Sequence, residues 1–283
     1  MARHIVCLTF DFDAMSGFVS RGLTSPTPIS RGEFCAVGAG RILDLAKKYQ
    51  LPTTWFIPGT VIHTYPEVCK RVVAEGHEVG HHGWTHDLPA SMTRDEEEQQ
   101  LIRGNEAIRK LTGVHARGYR SPAWDLSPHT IELLLKHGFT YESSMMGDDY
   151  TPYYARQGDV IHKNEPMEFG KTTSLVEMPI SWSLDDYPHF EFVRTAQTIL
   201  PGLQNARGVL ENWFDDYLYL KNNFEWGVIT YTCHPYVIGR GHRMMMLERL
   251  VELLRDHGAQ FLTMEQAVAE FQAKPLPRAA AAE

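Results

Sequence analysis

Strand-like and helical segments alternate along most of this chain, and three of the helical segments stop in the same way. Glu75-Gly76, His137-Gly138 and His257-Gly258 each close a run of helical apolar spacing, and each precedes a strand-like segment. A glycine just past the last turn is the usual left-handed helix stop. Strands alternating with helices argue for a parallel pairing, so the pattern predicts an α/β fold, a parallel sheet closed into a barrel.

The strands expected from short β-rich runs are Ile5–Phe10, Thr53–Ile57, Leu175–Met178, Val228–Thr232 and Gln260–Thr263. Helices are expected over Gly38–Tyr49, from Pro66 to Gly76, and from the capping box Thr93-Arg-Asp-Glu96 through Leu111. A further helix is expected behind the Ser127-Pro128 cap, and others over Val209–Leu220, Met244–Arg255 and Met264–Gln272. Met15–Val37 and Gly147–Thr173 read as long polar loops, of the kind that cover sites. The whole is expected to be one domain over residues 1–275 with a flexible tail at 276–283, and no internal repeat is visible.

Composition narrows the partners. The net charge is −8 and no basic block is present, which argues against nucleic acid or an anionic membrane surface. No stretch approaches the length needed to span a bilayer. The apolar run before Asp11 is too short for a secretion signal, and Cys7, Cys35, Cys69 and Cys233 are scattered. Free thiols and no signal lead to the expectation of a cytoplasmic protein.

Fourteen histidines invite a search for chemistry. Asp11 and Asp13 flank Phe12 at the carboxyl end of the first strand; two residues apart on a strand means one face, so both carboxylates can converge. His82 and His86 are four apart, a spacing that on a helical turn brings both imidazoles to one ion. Together with Asp13 they have the composition of a catalytic divalent site with a position left for water. Arg120 follows a strand-like run and can pair with a carboxylate at a neighbouring strand end. His234-Pro235 ends another strand at the same barrel face, where an acid or base is useful. Arg240 and Arg243 open the next helix and can bind an anionic group, and Trp182, Asp185 and Asp186 are candidates to line a pocket.

The ordered set Thr-Phe-Asp-x-Asp, His-x-x-x-His after Gly-His-Glu-Val-Gly, Arg-Ser-Pro, and a strand-end His-Pro resembles the polysaccharide deacetylase family, carbohydrate esterase family four. The resemblance spans Ile5 to Phe271. It implies a distorted (β/α) barrel and a divalent ion, usually zinc, held by Asp13, His82 and His86. It also implies Asp11 as general base paired with Arg120, and His234 as the acid protonating the leaving nitrogen. The backbone N–H near Ala123 would help hold the oxyanion; Trp124, Trp182 and Arg240 are candidates, from their places in the sequence, to lie around the substrate. Two departures matter: Phe12 separates aspartates that the family has adjacent, leaving open an exchange of the Asp11 and Asp13 roles, and Ala123 stands where an aromatic residue is common. The Asp-x-Asp and the long loop after it resemble a subgroup with cyclic-imide hydrolases and a peptidoglycan-deacetylase-like enzyme.

The expected activity is therefore metal-dependent hydrolysis of a non-peptide C–N bond, with a small amide or cyclic imide as substrate. N-deacetylation of an N-acetylglucosamine polymer or peptidoglycan is the alternative. A metal-free allantoinase-like ureide hydrolase and a non-catalytic carbohydrate-binding relative are two others. The resemblance also implies a homo-oligomer, dimer or tetramer.

Overall fold

The computed structural model describes residues 2–194 and 199–274; the expected tail lies outside the described residues. In chain order the strands are β1 (Arg3–Asp11), β2 (Thr54–Ile57), β3 (Glu78–His81), β4 (Gly118–Tyr119), β5 (Tyr141–Glu142), β6 (Tyr153–Gln157) and β7 (Lys171–Glu177). A small hairpin, β8 (Val193–Arg194) and β9 (Ile199–Leu200), precedes β10 (Trp226–Cys233) and β11 (Gln260–Phe261). The helices are α1 (Ser16–Val19), α2 (Pro26–Tyr49), α3 (Gly59–Thr64), α4 (Pro66–Ala74), α5 (Arg94–Thr112) and α6 (Thr130–Lys136). They continue with α7 (Asp186–Phe190), α8 (Ala206–Asn223), α9 (Pro235–Ile238), α10 (Gly241–Asp256) and α11 (Met264–Gln272).

The main sheet runs β10-β1-β2-β3-β4-β5-β7-β6, with β11 pairing the first half of the β1 edge whose second half pairs β2. All of these pairings are parallel except β6 on β7. The sheet curls into the deacetylase (β/α) barrel. Between its two ends run single connections rather than a ladder: the Val228 N–H donates to Tyr150 O at 2.9 Å, and Asp185 bridges Thr232 in parallel.

Strand alternation divides the core in two. Val6, Leu8 and Phe10 of β1 face outward into the large cluster shared with the helices. Ile5 and Cys7 face inward, with Phe56, Tyr141, Val176, Met178 and Val228, in a barrel core that α11 closes from below through Met264, Ala267 and Val268. Continuing that inward register leads to Thr9 and Asp11. The same parity selects His82 beyond β3, Arg120 beyond β4 and His234 beyond β10.

Gly76, Gly138 and Gly258 take positive φ of 82°, 75° and 86°, as the helix stops require. The Thr93–Glu96 capping box forms at the start of α5. Behind Ser127-Pro128 the helix begins at Thr130, two residues later than expected, and the Ser127 hydroxyl instead donates to buried Glu97 and accepts from the His129 N–H.

Two expected loops are corrected. Most of Met15–Val37 is helical, in α1 and the first half of α2. Pro26 sits at the first position of α2, and its glycines serve close approach: a Cβ at Gly32 would lie 2.7 Å from Ala14 O, and one at Gly38 would overlap the Pro235 carbonyl. Gly147–Thr173 contains β6 and the start of β7, an edge hairpin in which only Ala155 of β6 is fully buried, so no apolar alternation marks it.

Candidate active site

The inward register converges at the carboxyl end of the barrel. Phe10 pairs with Cys233, Asp11 with Phe56, Phe56 with Gly80, and His81 with Tyr119. One step further along each strand come Asp11, His82, Arg120 and His234, all more than nine-tenths buried. Asp13 follows on the same face of β1 and is likewise buried.

Asp13 is the centre of the cluster. His82 Nε2 lies 3.3 Å from its Oδ1 and His86 Nε2 3.4 Å from its Oδ2. Potential ligand atoms of these three residues all lie within 4.8 Å of one another. The spacing of His82 and His86 does not come from a helical turn as expected. The chain leaves β3 and reverses through Gly83 (φ 74°) and His86 (φ 65°). The His82 Nδ1 donates to Arg120 O at 2.7 Å, which leaves the Nε2 lone pair directed at Asp13. Asp13 Oδ1 is buried with no hydrogen-bond partner. A buried carboxylate with an orphaned oxygen and an imidazole nitrogen beside each of its two oxygens offers the donors of a divalent-cation site, so the donor set fits such an ion. Burial alone would raise the Asp13 pKa, but His86 and His82 beside it hold it well below the usual carboxylate range; burial likewise opposes the His82 charge, and Asp11 and Asp13 raise its pKa nonetheless.

Asp11 is tied from behind. Arg120, completely buried, donates from Nη1 to Asp11 Oδ1 and to Thr9 Oγ1, both at 2.8 Å. Its Nε and Nη2 go to Ser143 O and Ser143 Oγ at 3.0 Å. The guanidinium also lies 4.3 Å over the Phe56 ring. The second Asp11 oxygen is 4.0 Å from His82 Nε2.

His234 stands on the other side. Its Nδ1 and its backbone N–H bind the two oxygens of Asp186 at 2.8 and 3.0 Å, while Nε2 is 3.7 Å from Asp13 Oδ2. Burial works against the imidazolium, yet Asp185 and Asp186 outweigh it and hold the His234 pKa well above its ordinary value. Burial pushes Asp185 up to about 8, opposed by His234 and supported by Asp186.

These groups open into a cavity of about 580 Å³. Ala123, Trp124 and Trp182 line it, and the two indoles stack with centroids 4.0 Å apart. Ala14, His86, Ala123 and Trp124 are four of the six described non-glycine residues with positive φ, so backbone strain is concentrated around this site. Arg240 is not brought to it. Its guanidinium caps the Phe34 ring at 3.6 Å, in a separate hollow with Arg31 and Arg243, because α9 intervenes between His234 and the start of α10. Arg243 turns inward to Val237 O and Phe190 O. Arg21 and Tyr187 line the cavity without having been singled out by spacing; Asp186 had only its place before Tyr187-Pro188 as a signal.

The polysaccharide deacetylase family profile matches residues 2–142. A peptidoglycan deacetylase of Helicobacter pylori is 38% identical, over 96% of this chain and 97% of that protein. Among solved structures, a putative polysaccharide deacetylase from Mycobacterium smegmatis superposes with a TM-score of 0.84 at 29% identity, covering 98% of this chain and 94% of that one. An allantoinase shares the fold at a TM-score of 0.78 and 21% identity, over 96% of this chain and 91% of its own. With this full-length similarity and a site built at the barrel's carboxyl end, the chain belongs to the polysaccharide deacetylase family, hydrolases of non-peptide carbon–nitrogen bonds.

Proposed function

We propose that this protein is a divalent-metal-dependent amide hydrolase in which Asp13, His82 and His86 hold the ion, zinc first among candidates, and that its substrate is a small amide or cyclic imide. The observation that carries the reading is the orphaned Oδ1 of Asp13, a carboxylate flanked by two imidazoles, in one cavity with an Arg-held aspartate and an Asp-held histidine. Two imidazole nitrogens and one carboxylate oxygen suit zinc. Bound there, a divalent ion supplies polarisation of a carbonyl and acidification of water.

The chain's own residues do the rest. Asp11, held in place by Arg120, accepts the proton of the attacking water. His234, charged and oriented by Asp186, donates the proton that the leaving nitrogen needs. Ala123, in a left-handed turn at the cavity wall, offers its backbone N–H to the carbonyl oxygen. The geometry favours Asp13 over Asp11 as the ligand, since Asp13 reaches both imidazoles while Asp11 is occupied by Arg120.

A cavity of about 580 Å³ lies within the range of small-molecule sites, which supports the small-substrate reading. Deacetylation of an N-acetylglucosamine polymer is favoured instead by the stacked Trp124–Trp182 pair, an aromatic face suited to a sugar ring, and by the name of the Helicobacter pylori relative. Four buried, unbridged cysteines support a cytoplasmic location. Among the described residues no helix is long and apolar enough to cross a membrane. Exposed Ile161 and Phe169 beyond β6 support a homo-oligomer, which sizing by light scattering checks.

The test is hydrolysis of succinimide, hydantoin and dihydrouracil beside N-acetylglucosamine oligomers, with chelated and zinc-restored enzyme. Ring opening that disappears on chelation supports the proposal. Acetate release from the oligomers alone replaces it with the polymer reading, and full activity after exhaustive chelation removes the metal from either.

A further inference from the structure

The proposed chemistry leaves one charged group of the cavity without a task. Among the described residues, Arg21 is the only lysine or arginine on the cavity lining. Its Nε donates to Gly17 O at 2.6 Å and its Nη1 to the Tyr187 hydroxyl at 2.9 Å. The guanidinium packs 5.5 Å over the Phe18 ring. Two edges of the fork are therefore fixed, and among the described residues neither a carboxylate nor another acceptor takes Nη2. The acids around the cavity already have their own donors: Asp11 has Arg120, Asp87 has Thr85 and Gln100, Glu96 has the Thr93 cap, and Asp185 has the Tyr187 N–H. Tyr187 accepts from Arg21, so its own phenolic proton is left for another acceptor. A pre-oriented guanidinium edge beside a hydroxyl donor has the form of a carboxylate receptor.

Its place says which half of the substrate carries the anion. The Tyr187 ring lies 5.6 Å from the His234 ring, on the His234 side of the cavity. His234 is the group assigned above to the leaving nitrogen. We propose that Arg21 and the Tyr187 hydroxyl bind a carboxylate on the amine half of the substrate, a few covalent bonds from the nitrogen that leaves. This rests on the proposed role of His234 and narrows the substrate to an anionic amide or imide.

Matched pairs test it: N-acetylmuramic acid against N-acetylglucosamine, which differ by a carboxylate-bearing lactyl ether, and dihydroorotate against dihydrouracil, which differ by the carboxylate alone. In wild-type enzyme kcat/KM favours the anionic member of the pair that is turned over by about tenfold or more. In Arg21→Met that ratio collapses towards one, and in Arg21→Lys, which keeps the charge but not the fork, it falls between. A ratio that Arg21→Met leaves unaltered, in variants of normal Tm, means that Arg21 merely braces Tyr187, and overturns the proposal. If neither pair is turned over by metal-replete enzyme, calorimetric binding of the same compounds decides this proposal alone, and the hydrolase reading stands or falls on the substrate panel above. Tighter binding of the carboxylated member that Arg21→Met abolishes supports it; equal binding of both members contradicts it.

Discussion

The carbonyl of Arg120 accepts the His82 Nδ1 proton at 2.7 Å while the guanidinium of the same residue holds Asp11 at 2.8 Å. One buried residue thus fixes the tautomer of a proposed ligand and the orientation of the proposed base. Ser143 receives two further bonds from that guanidinium, so the end of β5 supports both.

This coupling predicts a large cost for breaking the pair. Arg120→Met leaves Asp11 as an unpaired buried carboxylate and is expected to destabilise the protein by about 3–5 kcal/mol. Adding Asp11→Asn removes the stranded charge and is expected to recover a substantial part of that stability. Urea midpoints of the two single variants and the double variant check it; strictly additive losses count against the pairing.

His82→Ala is expected to abolish both metal retention and activity. The carboxylate behind His234 is expected to act more mildly: Asp186→Asn leaves metal content intact and lowers kcat about 10–100-fold. Metal analysis of the purified variants beside initial rates separates the two cases.

Asp186→Asn also has a pH signature. The Asp186 carboxylate helps keep His234 protonated well above its ordinary pKa. Removing that charge lowers the His234 pKa, so the basic limb of the kcat profile is expected to move to lower pH. A basic limb that does not move assigns that limb to another group.

His81 offers a stability test independent of catalysis. It faces the helix layer over Gly104, where Nε2 donates to Leu101 O and Nδ1 accepts from the Gly83 N–H. Burial drives its pKa down to about 3. The unfolded chain takes up this proton near pH 6.5, so between about pH 3 and 6.5 the unfolded state binds more protons. Stability from this group is complete above that window and falls as the pH falls through it, by up to roughly 1.4 kcal/mol per pH unit. His81→Gln can keep the donor to Leu101 O without titrating, and its unfolding free energy is expected to decline less steeply below pH 6.5 than that of wild type. Parallel curves would contradict the assignment.

The six residues that converge at the barrel mouth were legible because strand parity is local. Asp11 and Asp13 share a face by alternation, and Arg120 and His234 each follow a β-run, so their positions at the carboxyl end depend on the strands alone. What failed depended on packing. His82 and His86 meet through a glycine and a left-handed histidine, a geometry that spacing cannot distinguish from a helical turn. The first half of α2 was hidden because its glycines and prolines, read as loop signals, serve a proline start and close contact with Ala14 and Pro235. Arg240 opens the helix after His234 and so reads as an anion-binding candidate, but the α9 turn carries it away to Phe34. Arg21 and Tyr187 lie far apart in sequence and meet only through the folded cavity.

The central claim is that Asp13, His82 and His86 hold a catalytic divalent ion. The most direct measurement titrates exhaustively chelated protein with zinc while bound metal and hydrolytic rate are followed together, in wild type and in His82→Ala. The account predicts that activity returns in proportion to about one bound equivalent in wild type and not at all in the variant. Full activity in chelated protein, or restored activity in His82→Ala, would contradict it.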